Sequence, residues 1–440
     1  MAIYKLRPTL LALLIPLSIL QAQTTKTLTL NQAIDLGLKE SNSLKISNSK
    51  RAVSEAKVDQ GWNALIPALS YNGNYTRLSN NIEPFKISIP GFGDKALNPQ
   101  ILNQYTNKLS LQETVFSGMR GNYALKAMIQ QAAATDFDYR KDVADARLGI
   151  VNQYLALYKF YQSKKILEEN IKLASQRETD ITNLQANGMA LDNDVFRVKL
   201  AKSNLEVTMA DVESAISNTN FNLNLMLGLP EETIILTDET SAISTPDTAG
   251  LFGGLSQAYT VRDEVKAQEI RAKALTYQVK VAKGSYSPTL SLGANYYLNN
   301  PNQRMFPVEN KFKSTWDLGA SLTWNFTQLY TTKATVKEAK ANLDQAVVAK
   351  KQIEDNIKME SRQSLNAWKL AMKKIDLAIL TVQQATENQR VLQSRFANNA
   401  VLTTDLLDAD NALAQAKLNL LSAKADASAA YYKALRVAGK

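Results

Sequence analysis

The 440-residue chain contains no cysteine and no histidine. The first absence removes disulfides, thiol chemistry and lipid attachment through an N-terminal cysteine. The second removes nearly all imidazole catalysis and histidine-based zinc binding. Carboxylates, lysines and hydroxyls are what remain, so an enzyme is a weak reading and no cofactor or metal is expected. Spanning-length apolar runs are also missing. The apolar stretch from Thr9 to Leu20 follows Lys5 and Arg7 and is shorter than the ~18 residues a spanning helix needs. Residues 1–23 are therefore expected to be a signal peptide, cleaved near Ala22 or Gln23. A retained anchor is the alternative, but nothing after Gln23 supplies a stop-transfer run. With that segment removed, a membrane-embedded chain satisfies its backbone in lipid only within a closed β-barrel.

What is present argues for a folded protein: 45% of residues are hydrophobic and 8% aromatic, unlike a disordered composition. The formal net charge of +10 raises nucleic acid as a partner. However, Lys5 and Arg7 leave with the leader and the other bases alternate with acids along helices, as solvated faces do.

Internal repetition organises the rest. A first repeat (24–229) and a second (251–440) are joined by a Thr-, Ser-, Asp- and Pro-containing linker, 230–250. Each reads helix, strand, loop, strand, long helix, tight turn, helix. Pro67 matches Pro288 before the first strand of each repeat, and Asn74-Tyr75 matches Asn295-Tyr296. Strands are expected near 68–78, 105–116, 289–299 and 315–326. The fourth alternates most clearly, with Trp316, Leu318, Ala320, Leu322, Trp324 and Phe326 on one face and Asp317, Gly319, Ser321, Thr323 and Asn325 on the other. Apolar-out, polar-in alternation with end aromatics is the pattern of an outer-membrane barrel strand, and Trp316, Trp324 and Tyr296 are the girdle candidates. Glu113 interrupts the apolar register of the second strand and is expected near its water-facing end. A soluble antiparallel sheet packed on helices gives the same alternation.

The helices are unusually long. Gly118 to Ala186 contains no proline and extends ~100 Å as one helix, and Thr327 to Ala397 is comparable. A heptad follows in Leu406, Leu413, Leu420, Ala427 and Ala434, alternating with Ala409, Ala416, Ala423, Ala430 and Val437. At 211 positions earlier it persists from Val195 and Val198 to Leu223 and Met226. Asn187-Gly188 and Asn398-Asn399 mark tight helical turns, with Asp192 or Thr403 as caps for the returning helices. Four strands cannot close a barrel, so the chain is expected to oligomerise.

In these features the sequence resembles the TolC-like outer-membrane efflux family over about Leu28 to Gly439. The resemblance rests on the duplicated helix-strand-strand-helix order, the prolines before strands one and three, Val115-Phe116-Ser117-Gly118 entering a long helix, and Leu402-Thr403-Thr404-Asp405-Leu406-Leu407-Asp408-Ala409 after the last turn. It implies a mainly α fold with a small β part. In a homotrimer this becomes a 12-stranded β-barrel in the outer membrane of a Gram-negative bacterium, continued by a periplasmic α-helical barrel. It also implies a passive exit duct of a tripartite efflux or type I secretion system, docking a periplasmic adaptor and an inner-membrane transporter.

By position, the resemblance makes Asp405 and Asp408 candidates for the periplasmic constriction, and the turn residues Asn187, Gly188, Asn398 and Asn399 candidates for adaptor contact. The i, i+3 spacing puts both aspartates on one helix face, so a trimer would gather six carboxylates. Helix-dipole stabilisation of a first-turn carboxylate explains Asp405 equally well. The turn Asn399-Ala400-Val401 departs from the glycine and arginine common in the family. A porin or an adhesive outer-membrane protein without a transporter partner is the alternative, although a diffusion pore needs only the barrel. Catalysis by Asp136/Asp138 or Asp192/Asp194 is disfavoured, because i, i+2 carboxylates on a helix point apart.

Overall fold

The computed structural model describes residues 24–82, 86–96, 100–239, 255, 257–398 and 400–439. The expected leader, residues 240–250 of the linker and Asn399 lie outside the described residues. The chain divides into two compact units: 1–40, 149–245 and 372–429 form the first, and 41–148, 246–371 and 430–440 the second. No described helix is long and apolar enough to cross a membrane.

In the first unit, a short parallel pair joins β1 (Thr25–Leu28) to β6 (Ile234–Thr237), with Leu28 opposite Thr237. Helix α1 (Leu30–Glu40) starts on a reciprocal cap in which the Thr29 amide donates to Gln32 and the Gln32 amide to Thr29 Oγ1. Leu30, Ala33 and Ile34 of α1 are buried, as are Ile150, Tyr154, Leu157 and Tyr158 of α3 (Arg120–Ala186) and Leu223 and Leu227 of α4 (Asp192–Leu227). Each such leucine or isoleucine contributes ~1.5–3 kcal/mol on burial. The Tyr154 hydroxyl donates to the Leu28 carbonyl at 2.7 Å and accepts from the Asp238 amide at 2.9 Å, which anchors both short strands to α3. From α4, Asn224 Nδ2 donates to the Glu231 and Thr233 carbonyls, and Asn220 Oδ1 accepts from the Ile235 amide. The segment read as a linker therefore opens with a strand held by asparagines. Four residues are too few for periodicity to betray a strand.

The second unit contains a four-stranded antiparallel sheet in the order β2 (Ala68–Arg77), β5 (Asn103–Phe116), β7 (Thr289–Asn299), β8 (Lys313–Thr323). The β5–β7 pairing joins the two sequence repeats edge to edge. A separate hairpin, β3 (Lys86–Ile89) with β4 (Gly93–Ala96), interrupts the loop between β2 and β5. Helices α2 (Asn42–Asn63) and α5 (Asp263–Gly284) precede β2 and β7, each ending ahead of the proline that forces extended backbone. The chain leaves β5 through Gly118, whose φ is +66°, and an added Cβ there would lie 2.2 Å from the Gly284 carbonyl oxygen. Both the left-handed backbone and the close approach of α5 require glycine. Ion pairs tie the helices of this unit together: Arg51 of α2 to Asp136 at 2.6 Å, Arg271 of α5 to Asp138, and Arg436 to both Asp145 and Glu264. Asp136 and Asp138 thus reach two different helices, as their spacing demands, and neither faces the other as a catalytic pair.

Helix α6 (Gln328–Ala397) has 70 residues and α3 has 67, each rising about 100 Å at 1.5 Å per residue. In α7 (Thr403–Val437) the heptad positions Leu406, Ala409, Ala416, Ala423, Ala427, Ala434 and Val437 are buried, whereas Leu413, Leu420 and Ala430 are half-buried. Within α4 only Val198, Thr219 and Leu223 of the matching seam are buried, and Lys202 on it pairs with Glu178 at 3.0 Å.

Candidate conduit wall and closing end

The strand register sorts the sheet into two chemically opposed faces. On one, Leu69, Leu111, Ala294 and Leu318 form a row, and Tyr71, Leu109, Tyr296 and Trp316 form the next. Trp316 and Leu318 are each 75% exposed, a large cost in water that apolar surroundings remove. On the other face, Ser70, Ser110, Asn295 and Asp317 lie in one row. Ser110 Oγ donates to Asn295 Oδ1, Asn295 Nδ2 donates to Asp317 Oδ1 at 2.6 Å, and Arg304 pairs with Asp317 at 2.8 Å. Among the described residues, β2 and β8 each pair on one side only. The sheet is open in a single chain, as four strands require.

Of the girdle candidates, Trp316 and Tyr296 lie in register on the apolar face of the sheet. Trp324 follows the last residue of β8, Thr323. Its Nε1 donates to the Tyr286 carbonyl at 3.2 Å, and its ring packs on Phe326 with centroids 4.9 Å apart. The Asn325-Phe326-Thr327 turn, in which Asn325 Oδ1 accepts the Thr327 amide, stops the strand that alternation alone would extend. Glu113 sits opposite Leu292 in the apolar register near the helix-proximal end of β5, where a bulge between Thr114 and Phe116 breaks the ladder.

The helical turns lie in the first unit. Asn187 and Gly188 are exposed, with Gly188 at φ +70° and the Met189 amide donating to the Leu184 carbonyl. Asn398 is exposed in the equivalent turn, and its Nδ2 donates to the Ser394 carbonyl just as Asn187 Nδ2 does to Asn183. The caps differ from expectation. The Leu191 amide donates to Asp194 at 3.1 Å and the Leu402 amide to Asp405 at 3.4 Å, so the third helical residue reaches back in both repeats. Asp192 instead accepts from Gln185, and Thr403 is buried.

Asp405 and Asp408 are both exposed on one face of α7, and neither makes an ion pair among the described residues. Two positions on, Asp410 behaves differently: it pairs with Arg177 at 3.1 Å and accepts from Gln389 at 3.0 Å, with the Arg177 and Asp410 side chains only 7% and 12% exposed. This buried clamp joins α3, α6 and α7, and nothing in the sequence singled it out. An arginine and an aspartate 233 positions apart leave no local pattern.

Residues 254–438 match the family model described as outer membrane efflux protein. Among solved structures, the outer membrane protein VceC from Vibrio cholerae is 18% identical with a TM-score of 0.76, covering 93% of this chain and 96% of that one. The CmeC outer membrane channel of Campylobacter jejuni gives 17% and 0.75 over 93% and 85%. The open state of the MtrE outer membrane channel of Neisseria gonorrhoeae gives 17% and 0.74 over 93% and 89%. The chain has the TolC-like outer-membrane channel fold. Among curated proteins, none matches it in sequence.

Proposed function

We propose that three copies of this chain form an outer-membrane exit duct that carries small molecules or proteins out of the cell. Cargo would arrive from an inner-membrane transporter through a periplasmic adaptor. The observation that carries this reading is the open four-stranded sheet with one lipid-like and one hydrated face, which closes when β8 of one copy pairs with β2 of the next. Exposed apolar residues on the long helices, including Phe196, Leu200 and Val207 of α4 and Leu370 and Leu377 of α6, supply surface for the same assembly. The turns at Asn187-Gly188 and Asn398-Asn399 are the adaptor contacts, and Asp405 and Asp408 line the constriction, where six carboxylates favour cations.

Single-channel conductance of the detergent-purified protein in a planar bilayer tests this, comparing the native chain with Asp405→Ala/Asp408→Ala. Stepwise openings that grow or lose cation preference in the variant support both duct and constriction. Openings identical in the two proteins return both aspartates to helix capping and leave the duct standing. A folded oligomer that never conducts in either form refutes the duct.

A further inference from the structure

The polar face of the sheet carries an uneven set of charges. Asp317 spends both carboxylate oxygens, one on Asn295 Nδ2 and one on Arg304, and the Arg304 guanidinium also lies 4.2 Å from the Tyr297 ring centroid. Lys313 pairs with Glu309 at 3.4 Å. Lys108 is the exception. Its strand neighbours in register are Asn72 and Tyr297, its ammonium lies 5.7 Å from the Tyr297 ring centroid, and it makes no ion pair among the described residues. Two residues along each strand from the Asn295–Asp317 row, Gly293 and Gly319 stand opposite each other. A Cβ at either position meets nothing within 4 Å. The paired glycines open a depression of about 310 Å³ whose lining includes Lys108, Ser110, Asn295 and Asp317. Among the described residues its one carboxylate, Asp317, is paired with Arg304, so the uncompensated charge facing this space is positive.

We propose that Lys108 gives the strand-lined part of the conduit a preference for anions, so that solutes bearing a carboxylate or phosphate enter the Gly293–Gly319 depression more readily than cations of similar size. This rests on the polar face lining a water-filled lumen. Three copies gather three such ammonium groups around one channel, where low-dielectric walls focus their field. The sign is opposite to that of the carboxylates at Asp405 and Asp408, so the two regions select differently.

The absence of cysteine makes the test clean. Gly319→Cys places a single thiol in the depression, and the rates of its modification by small anionic and cationic thiosulfonates are compared in the purified oligomer, each normalised to a free thiol in solution. The anionic reagent is expected to react preferentially. Adding Lys108→Glu should lower the anion-to-cation rate ratio by about tenfold or more, with Lys108→Gln in between. Gly293→Cys gives the same readout from the opposite strand if the first variant fails to assemble. A thiol that reacts well but whose ratio ignores Lys108→Glu overturns the proposal while leaving the lumen intact. A thiol inert in the native oligomer and reactive only after unfolding means that this face is not wetted, which refutes the lumen reading and the proposal with it.

Discussion

Removing Arg177 tests whether the buried clamp holds α7 in place. Arg177→Met keeps much of the aliphatic volume but leaves Asp410 buried, with Gln389 as its remaining side-chain donor at 3.0 Å. Breaking a buried pair from one side costs ~3–5 kcal/mol. Because Asp410 retains the Gln389 bond and its side chain is 12% exposed, the expected cost is nearer ~2–3 kcal/mol. At ~1.4 kcal/mol per factor of ten, local opening becomes roughly 30- to 140-fold more frequent. Hydrogen exchange of the full chain in detergent, followed in peptides covering 170–180 and 403–415, reads that change directly. Asp410→Leu alone should be comparably disruptive, because it strands the guanidinium. The double variant Arg177→Met/Asp410→Leu should return exchange to within about tenfold of native, since an apolar pair of similar volume replaces a buried ionic one at little cost. Single variants that shift exchange by less than about threefold, or a double variant whose effects simply add, would refute the clamp.

On the proposed assignment of faces, Leu318→Arg puts a charge against lipid and should cost ~2–4 kcal/mol of barrel stability, whereas Ser321→Arg on the polar face should cost well under half of that; heat resistance of the oligomer in detergent compares them, and equal losses would refute that assignment. Gly118→Ala combines a left-handed φ with overlap of the Gly284 carbonyl 2.2 Å from the new Cβ, so a loss of roughly 2–5 kcal/mol is expected; normal oligomer yield and melting temperature would contradict it. The Tyr158 hydroxyl is pushed up to about 12, first by burial and then by Glu239. Its contribution to stability is therefore intact below its ordinary value of ~10 and is lost as pH rises toward the folded value. Tyr158→Phe should flatten the alkaline fall in stability across that interval while changing little at neutral pH, and parallel alkaline melts for the two proteins would count against it.

The two faces of the strands, the duplication, the long helices and the tight turns were legible in the sequence because each leaves a local or repeated pattern. Alternation reports two faces, proline and glycine mark ends, and a 211-residue offset aligns the two hairpins. The acids at 405 and 408 could be placed on one helix face by spacing alone. Features built from distant partners could not be read this way. The β1–β6 pair depends on Tyr154 and two α4 asparagines reaching a segment that looks like a linker. The Arg177–Asp410 clamp brings together residues more than two hundred positions apart. Trp324 looked like a continuation of β8 until the Asn325 turn and the Tyr286 carbonyl drew it away. Lys108 is distinctive only through tertiary structure, where its neighbours' charges are paired and its own has no ion-pair partner among the described residues. Local chemistry in this chain specifies elements and faces, because backbone geometry is periodic. Which charge is neutralised and which side chain is claimed by another element is settled by tertiary packing, because partners far apart in sequence leave no periodic trace.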